Sequence, residues 1–568
     1  MSEPRPAGRL ALDCLMIAVL TVVALTQLDQ TYSDRSYLVA GCLALAVAML
    51  LAVFVSESGR SVVLFIVLAV GAYVLLGPVI ALRSYQDTFL PTPADFLDVL
   101  VGPFSGWNDL LTIIPPVEPT GRELVVPYAL CFAAGATSTW LALRTNLVAL
   151  PVLPIVGVLS AGILLGVQQP DLLEIRAAVL VVGIVVWLAV RGRRLQDSRE
   201  SDRAGSVLVT TVLVGLVCAG VVIWLAPTTP PQARVVLHGR VGQGADLSNL
   251  DNPLSSFRIF TRQQAGDNNV YDERLLRVGG LPAGQRLRFV ALDTYDGSTM
   301  EPDNRTVPET VDDLFQRISH EVDSPEKGST AAVGVRVLAP YRSSWVPTTG
   351  ALTGFQFVDL DRSPQREDLR YNPATRTLVA LKGLRSGDDY TFTSTLTATE
   401  VTRAMAPYPV GGQLQREAAF LDPYIKPWAG SAMTPMQKVY SLARYLRKNG
   451  RYSDGAKASE AAVYTPGHGE ARLGPGFIGA PVMVGDDEQY AAFMALAASR
   501  LGVPARVVVG AVPTKAGYVY GRNVLVWVEL RVADGSWRTF PTAKFMSHVA
   551  PKDSEPAKQP PGAFVQGE

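Results

Sequence analysis

The chain has 568 residues, more than one domain ordinarily holds. Its 51 basic and 51 acidic residues balance, which excludes the electrostatic footprint of a nucleic-acid binder. Only 18% of residues are charged and the mean hydropathy is +0.21, values that point to a membrane protein. Arg outnumbers Lys, and Ala and Val abound, as in a GC-rich, actinobacterial-like genome.

In chain order, seven apolar stretches are long enough to span a bilayer, which takes about 20 residues. They lie near 10–28, 37–55, 61–82, 124–143, 147–167, 175–190 and 206–226. The first is followed at once by further spans and lacks a small-residue cleavage site, so it is read as a span and not as a signal peptide. Arg5, Arg9, Arg60, Arg144, Arg191, Arg193, Arg194, Arg199 and Arg203 all fall on one side if the N-terminus is cytoplasmic. Seven spans then place everything after residue 227 outside the cytoplasm. The span interiors carry almost no charge, with Asp13, Glu174 and Arg176 near ends, and this disfavours a transporter or channel. Between the third and fourth spans, Phe96, Leu97, Val99, Leu100, Phe104, Trp107, Leu110 and Leu111 form an amphipathic helix pattern. Two placements fit it: flat on the outer membrane surface, or packed across the mouths of the spans.

All four cysteines, Cys14, Cys42, Cys131 and Cys218, fall in expected spans. The outer region therefore has no disulfide and no thiol nucleophile. From about Thr228 to Thr402 the pattern is β-rich, with strands at 277–278, 286–292, 334–338 and 390–396 separated by turn clusters such as Gly279-Gly280 and Asp296-Gly297. A small antiparallel sandwich or barrel is expected. Helices follow at 414–424 and 434–449, the second opening on Thr434 as N-cap with Pro435 behind it. A Gly/Pro-rich loop carrying His468 and Glu470 leads to Val484. A lone loop histidine such as His468 is usually solvated, and His238, His320 and His548 are isolated and read as structural or solvated. The chain ends in a polar, Pro-rich tail expected to be disordered.

The stretch from Val484 to Gly510, VGDDEQYAAFMALAASRLGVPARVVVG, reads as turn, helix, turn and buried strand. Gly485, Asp486, Glu488, Gln489, Tyr490 and Ala491, then Gly502, Val503, Pro504, Ala505, Arg506, Val507, Val508 and Gly510, resemble the core pattern of the transglutaminase-like superfamily. Trp527, Val528 and Glu529 match its next strand, and Trp537, Phe540, Pro541 and Thr542 keep the frame of the one after. Leu275 to Val278 and Asp293 to Gly297 resemble a region of bacterial multi-pass proteins of the TgpA type, with Met300 near an expected tryptophan.

That resemblance implies a Cys-His-Asp triad, and the matching positions hold Asp487, Leu525 and Pro541. Asp487 suits the site as a helix N-cap, but a carboxylate cannot form the thioester of this family's acyl transfer. The chain is thus read as a multi-domain membrane protein. A transmembrane region of seven helices occupies 1–226, an extracytoplasmic β-rich domain 227–402, an α+β transglutaminase-like (papain-like) domain 403–545, and the tail 546–568. Many relatives carry a further transmembrane helix and a cytoplasmic tail after the core domain, and none is read here.

The expected function is a catalytically inactive scaffold of the cell envelope that binds an envelope protein or a peptidoglycan peptide. Asp487, Glu488, Trp527, Glu529 and His468 are its binding residues, with no cofactor and no metal. The alternative is a membrane-anchored protease or acyl transferase of non-cysteine chemistry using Asp487 or Glu488. The resemblance further implies a MoxR-type ATPase and a von Willebrand A-like companion as partners, beside the membrane itself.

Overall fold

A computed structural model describes residues 7–196 and most of 245–552, with short internal stretches left out. The chain divides into two units, 1–243 and 244–568.

The first unit is helical: α1 (Ala7–Leu25), α2 (Ser36–Glu57), α3 (Val62–Ala81), α4 (Pro93–Thr112), α5 (Val125–Arg144), α6 (Leu153–Leu165) and α7 (Leu173–Gln196). Five helical segments among the described residues are long and apolar enough to cross a membrane: Leu10–Leu28, Ser36–Glu57, Val62–Ala81, Arg122–Arg144 and Leu173–Arg194. The count of seven is not reproduced. The expected span at 147–167 shortens to the 13-residue α6, because Pro151 and Pro154 confine the start to a 3-10 turn. The expected span at 206–226 lies outside the described residues.

α5 is the most enclosed helix, with Val125, Tyr128, Cys131, Gly135 and Ala136 buried. Its Tyr128 hydroxyl donates to the Tyr73 carbonyl at 2.9 Å, and Tyr73 in turn donates to Val99 at 3.1 Å. Asp13, expected merely near a span end, ties α1 to α7. It accepts from Trp187 Nε1 at 2.9 Å and from Arg191 Nη1 at 3.1 Å. α4 is the amphipathic helix that the sequence placed after the third span. It packs on α3 and α5 through Val99 and Gly102, and a side chain at Gly77 would run into Val99. Its opposite face is open, with Phe104 81% exposed and Leu97 60%.

The second unit holds strands β1 (Arg274–Gly279), β2 (Leu287–Leu292), β3 (Thr294–Tyr295), β4 (Met300–Glu301), β5 (Ser329–Val337), β6 (Trp345–Val346), β7 (Ala351–Phe357), β8 (Leu369–Asn372), β9 (Thr377–Ala380) and β10 (Asp389–Leu396). These four expected strand stretches are present. Helices α8 (Gln413–Glu417), α9 (Asp422–Ala429), α10 (Pro435–Asn449), α11 (Glu470–Leu473) and α12 (Asp487–Arg500) follow, interspersed with β11 (Gly450–Tyr452), β12 (Met483–Gly485), β13 (Ala505–Ala511), β14 (Tyr518–Tyr520), β15 (Val524–Arg531) and β16 (Trp537–Phe540). α10 opens on the Thr434 cap as expected: the Gln437 N–H donates to Thr434 Oγ1 at 3.4 Å, and Gln437 Oε1 accepts from the Thr434 N–H at 3.1 Å.

The expected boundary at 402–403 is crossed twice. One antiparallel sheet runs β14-β1-β5-β10-β7 and another β16-β15-β13-β2, so each draws a strand from the other side. In the second sheet Val508 stands between Ala291 and Trp527. Gly510 lies where a Cβ would strike the Leu287 carbonyl and the Trp527 ring. α12 is covered all round, with Tyr490 to Ser499 buried, and it packs on β13 and β15. The expected tail begins inside the fold: Met546 and Ser547 are buried and the Val549 carbonyl accepts from the Tyr452 N–H at 2.8 Å. The rest of it, from 553, lies outside the described residues.

Candidate functional site

The start of α12 carries three acids in a row, and each has a different partner. Asp486, not Asp487, is the N-cap. Its Oδ1 accepts from the Glu488 N–H at 2.9 Å, and Gln489 Oε1 accepts from the Asp486 N–H at 3.0 Å, closing a capping box. The Tyr464 hydroxyl donates to Asp486 Oδ2 at 2.8 Å. Burial, reinforced by the charges of Glu488 and Asp487, pushes the Asp486 carboxyl well above the usual carboxylate range.

Asp487 is the first helical residue. Tyr452 donates its hydroxyl to Asp487 Oδ2 at 3.0 Å, and the nearby backbone of Val526 in β15 favours the ionised carboxylate. Burial pushes the Asp487 carboxyl up, against the Tyr452 hydroxyl, the surrounding backbone and the nearby His548 imidazole. The histidine that accompanies Asp487 is therefore His548, whose ring lies 6.4 Å from that of Tyr452. No spacing in the sequence links residue 548 to residue 487, so the sequence alone leaves His548 isolated.

His468 is not a solvated loop residue. It is 2% exposed, its Nδ1 meets Glu488 Oε1 at 2.7 Å, and its Nε2 accepts from the Met300 N–H at 2.9 Å. Those partners assign the ring proton to Nδ1. Tyr295 adds a hydroxyl bond to the His468 carbonyl at 3.0 Å. His468 and Glu488 thus lock the β3–β4 hairpin to the helix start. Glu488 also accepts from Gln489 Nε2 at 2.9 Å, which leaves it a structural part of the loop.

Leu525, Trp527 and Glu529 alternate along one face of β15. Leu525 packs with Trp527, Ala291 and Val508. Trp527 and Glu529 are expected to share a binding site with Asp487. The structure instead commits Glu529 to Arg288 Nη2 at 2.5 Å and to Arg506 Nη2 at 2.7 Å, with Trp527 Nε1 at 3.3 Å. Burial alone would raise the Glu529 carboxyl, but Arg288, Arg506 and Arg376 outweigh it and hold it at about 2. Burial lowers Arg506 to about 10 against the pull of Glu529. Pro541 follows Phe540, which is buried and stacks with Phe545 at 5.6 Å. Trp527 and Glu529 also line an open cleft of about 90 Å³ with Arg286, Arg288, Arg376 and Trp537. The arginines went unassigned in the sequence, where Arg506 counted only as a motif letter.

The five expected binding residues therefore separate into three places. Asp487 sits with Tyr452 and His548, Glu488 with His468, and Trp527 and Glu529 with the arginines. Chemically, the first offers a carboxyl that takes up a proton readily and a tyrosine hydroxyl. A thiol nucleophile is absent by sequence, since no cysteine follows Cys218.

A helix capped at Asp486, packed on antiparallel strands and followed by β15 and β16, is a transglutaminase-like core. The model of the transglutaminase-like superfamily matches residues 424–541. That of the TgpA N-terminal domain matches residues 12–400, more than half of the chain, and the chain belongs to that family. Two crystal structures of the periplasmic domain of TgpA from Pseudomonas aeruginosa are similar to it. The one bound to ethylmercury is 18% identical and the other 17%. Each match covers 52% of this chain and 95% or 94% of that domain, with a TM-score of 0.33. No curated protein matches the chain.

Proposed function

We propose that the chain is a catalytically inactive transglutaminase-like membrane protein of the bacterial cell envelope, which binds an envelope protein or a wall peptide without cleaving it. The observation that carries this reading is the bonding of Asp487. At the helix start where the family's nucleophile stands, a buried carboxyl is tied by the Tyr452 hydroxyl at 3.0 Å. Acyl transfer needs a nucleophile with a paired base, and the other two triad positions hold Leu525 and Pro541. In this reading the N-terminus is cytoplasmic and residues after 227 are outside, as the arginine distribution implies. A MoxR-type ATPase and a von Willebrand A-like protein are the partners to look for.

A second reading is favoured by one observation: burial raises the Asp487 carboxyl, which accepts from the Tyr452 hydroxyl and has the His548 ring nearby. The test is amide hydrolysis and transamidation by the full-length chain in detergent, on peptide and wall-peptide substrates, beside Asp487→Ala. The expected result is no turnover in either protein, with an envelope protein recovered by capture from membranes. Turnover that Asp487→Ala abolishes would make the protein a carboxylate-dependent enzyme and end the scaffold reading.

A further inference from the structure

The cleft beside Glu529 has features that its structural ion pairs do not use. Arg288 and Arg506 are spent on Glu529, and Arg376 pairs with Glu326. Arg286 is different. Its guanidinium lies over the Trp527 ring at 5.4 Å, and its Nη1 is buried with no hydrogen-bond partner among the described residues. Burial lowers its proton affinity, and Glu400 and Glu529 offset this only through space. Arg288, itself 7% exposed, keeps a buried Nε that is likewise unbonded. Both side chains line the cleft, and a buried donor without an acceptor costs free energy.

The backbone adds to this. Arg376 has φ of 54°, a conformation rare outside glycine and asparagine, and it stands on the cleft wall. Three guanidiniums and two carboxylates line the space, which leaves one positive charge in excess. Glu400 and Glu529 would repel a dianion, so a phosphate is poorly matched. A planar monoanion suits the charge and the fork of a guanidinium held over the Trp527 ring. About 90 Å³ holds little more than a terminal carboxylate and its last side chain, while the open mouth admits the chain behind it.

We propose that this cleft binds the C-terminal carboxylate of a peptide, with Arg286 as its principal ion-pair donor and Trp527 as the platform that orients it. Bidentate pairing of a guanidinium with a carboxylate supplies the specificity, and stacking on the indole keeps the fork planar. The proposal names a ligand class for the binding reading above, but it does not depend on whether Asp487 is catalytic. Loss of binding and gain of turnover are separate readouts.

The experiment is calorimetric titration of the full-length chain in detergent with four probes: N-acetyl-L-Ala-L-Ala, N-acetyl-D-Ala-D-Ala, and the C-terminal amide of each. The expected result is binding of at least one acid and an affinity at least tenfold lower for its amide. Preference for the L-acid assigns the site to polypeptide ends, and preference for the D-acid to wall-peptide ends. Arg286→Ala should lose at least tenfold toward the acid with an unchanged Tm. Should Arg286→Ala lower Tm, Arg286→Gln, which keeps the stem on Trp527 and removes the charge, is expected to show the same loss. Equal binding of acid and amide, binding of neither acid, or acid binding unaltered in the folded Arg286 variant would each overturn the proposal.

Discussion

Glu529 shows how one residue can match a family motif and yet serve a role that the motif does not announce. Its carboxyl is held at about 2 by guanidiniums from β2 and β13. A depressed carboxylate gives stability that is full above its unfolded value near 4.5 and is lost as pH falls toward 2. Glu529→Gln should therefore cost about 3–5 kcal/mol at neutral pH, because two guanidiniums stay buried without their counter-charge. The acid limb of the stability curve should flatten in the same variant, read by chemical unfolding of the solubilised chain across pH. Asp486 acts with the opposite sign. Its carboxyl is raised, so its contribution is present at low pH and is lost as pH climbs past the ordinary carboxylate range. Asp486→Asn keeps a good cap acceptor and removes the titration, and its alkaline limb should be shallower than that of the wild type. The sequence pointed to Asp487 and Glu529 because short motifs are local. It could not pair Glu529 with Arg288, 241 residues away, nor separate the cap from the first helical residue, since two adjacent aspartates both fit a cap preference.

At the scale of the element, α12 was legible from its apolar positions and the Gly502-Val503-Pro504 stop, and α10 from its Thr-Pro start. α6 was legible as apolar but not as short, because Pro at a helix start is read equally well as a favourable first turn. The β3–β4 hairpin was seen only as a turn signal, and its anchor went unseen. His468 joins that hairpin to the start of α12 through two bonds, to Glu488 and to the Met300 N–H. His468→Ala leaves the buried Met300 amide without its acceptor and takes the Oε1 partner from a Glu488 carboxylate that keeps Gln489 on Oε2, each lost bond worth about 1–3 kcal/mol. We expect the Tm of the second unit to fall by several degrees. His468→Gln, which can still accept from Met300, should recover part of that loss. Unchanged melting in His468→Ala would show that neither bond contributes to stability.

At the scale of the molecule, composition revealed the division into an apolar helical half and a polar half, since bilayer crossing needs long uncharged runs. Composition could not reveal that the β-rich and core parts of the second half share their sheets. Pairing partners such as Arg274 and Tyr520 lie 246 residues apart, and strand periodicity specifies a face but not a neighbour. This sharing has a consequence for how the chain can be cut. Residues 403–552 expressed alone would leave β13 without β2 and β14 without β1, exposing unpaired edges beside a buried helix. They would also strip Glu529 of Arg288 and His468 of Met300. The fragment 403–552 should therefore lack a cooperative thermal transition and aggregate, whereas 244–552, which keeps both strand pairs, should melt in one step. Circular dichroism on the two fragments decides the matter. A sharp transition in 403–552 would mean that the helix and strands around Asp487 fold without the strands they borrow, and the interleaving would then be an association of two finished domains.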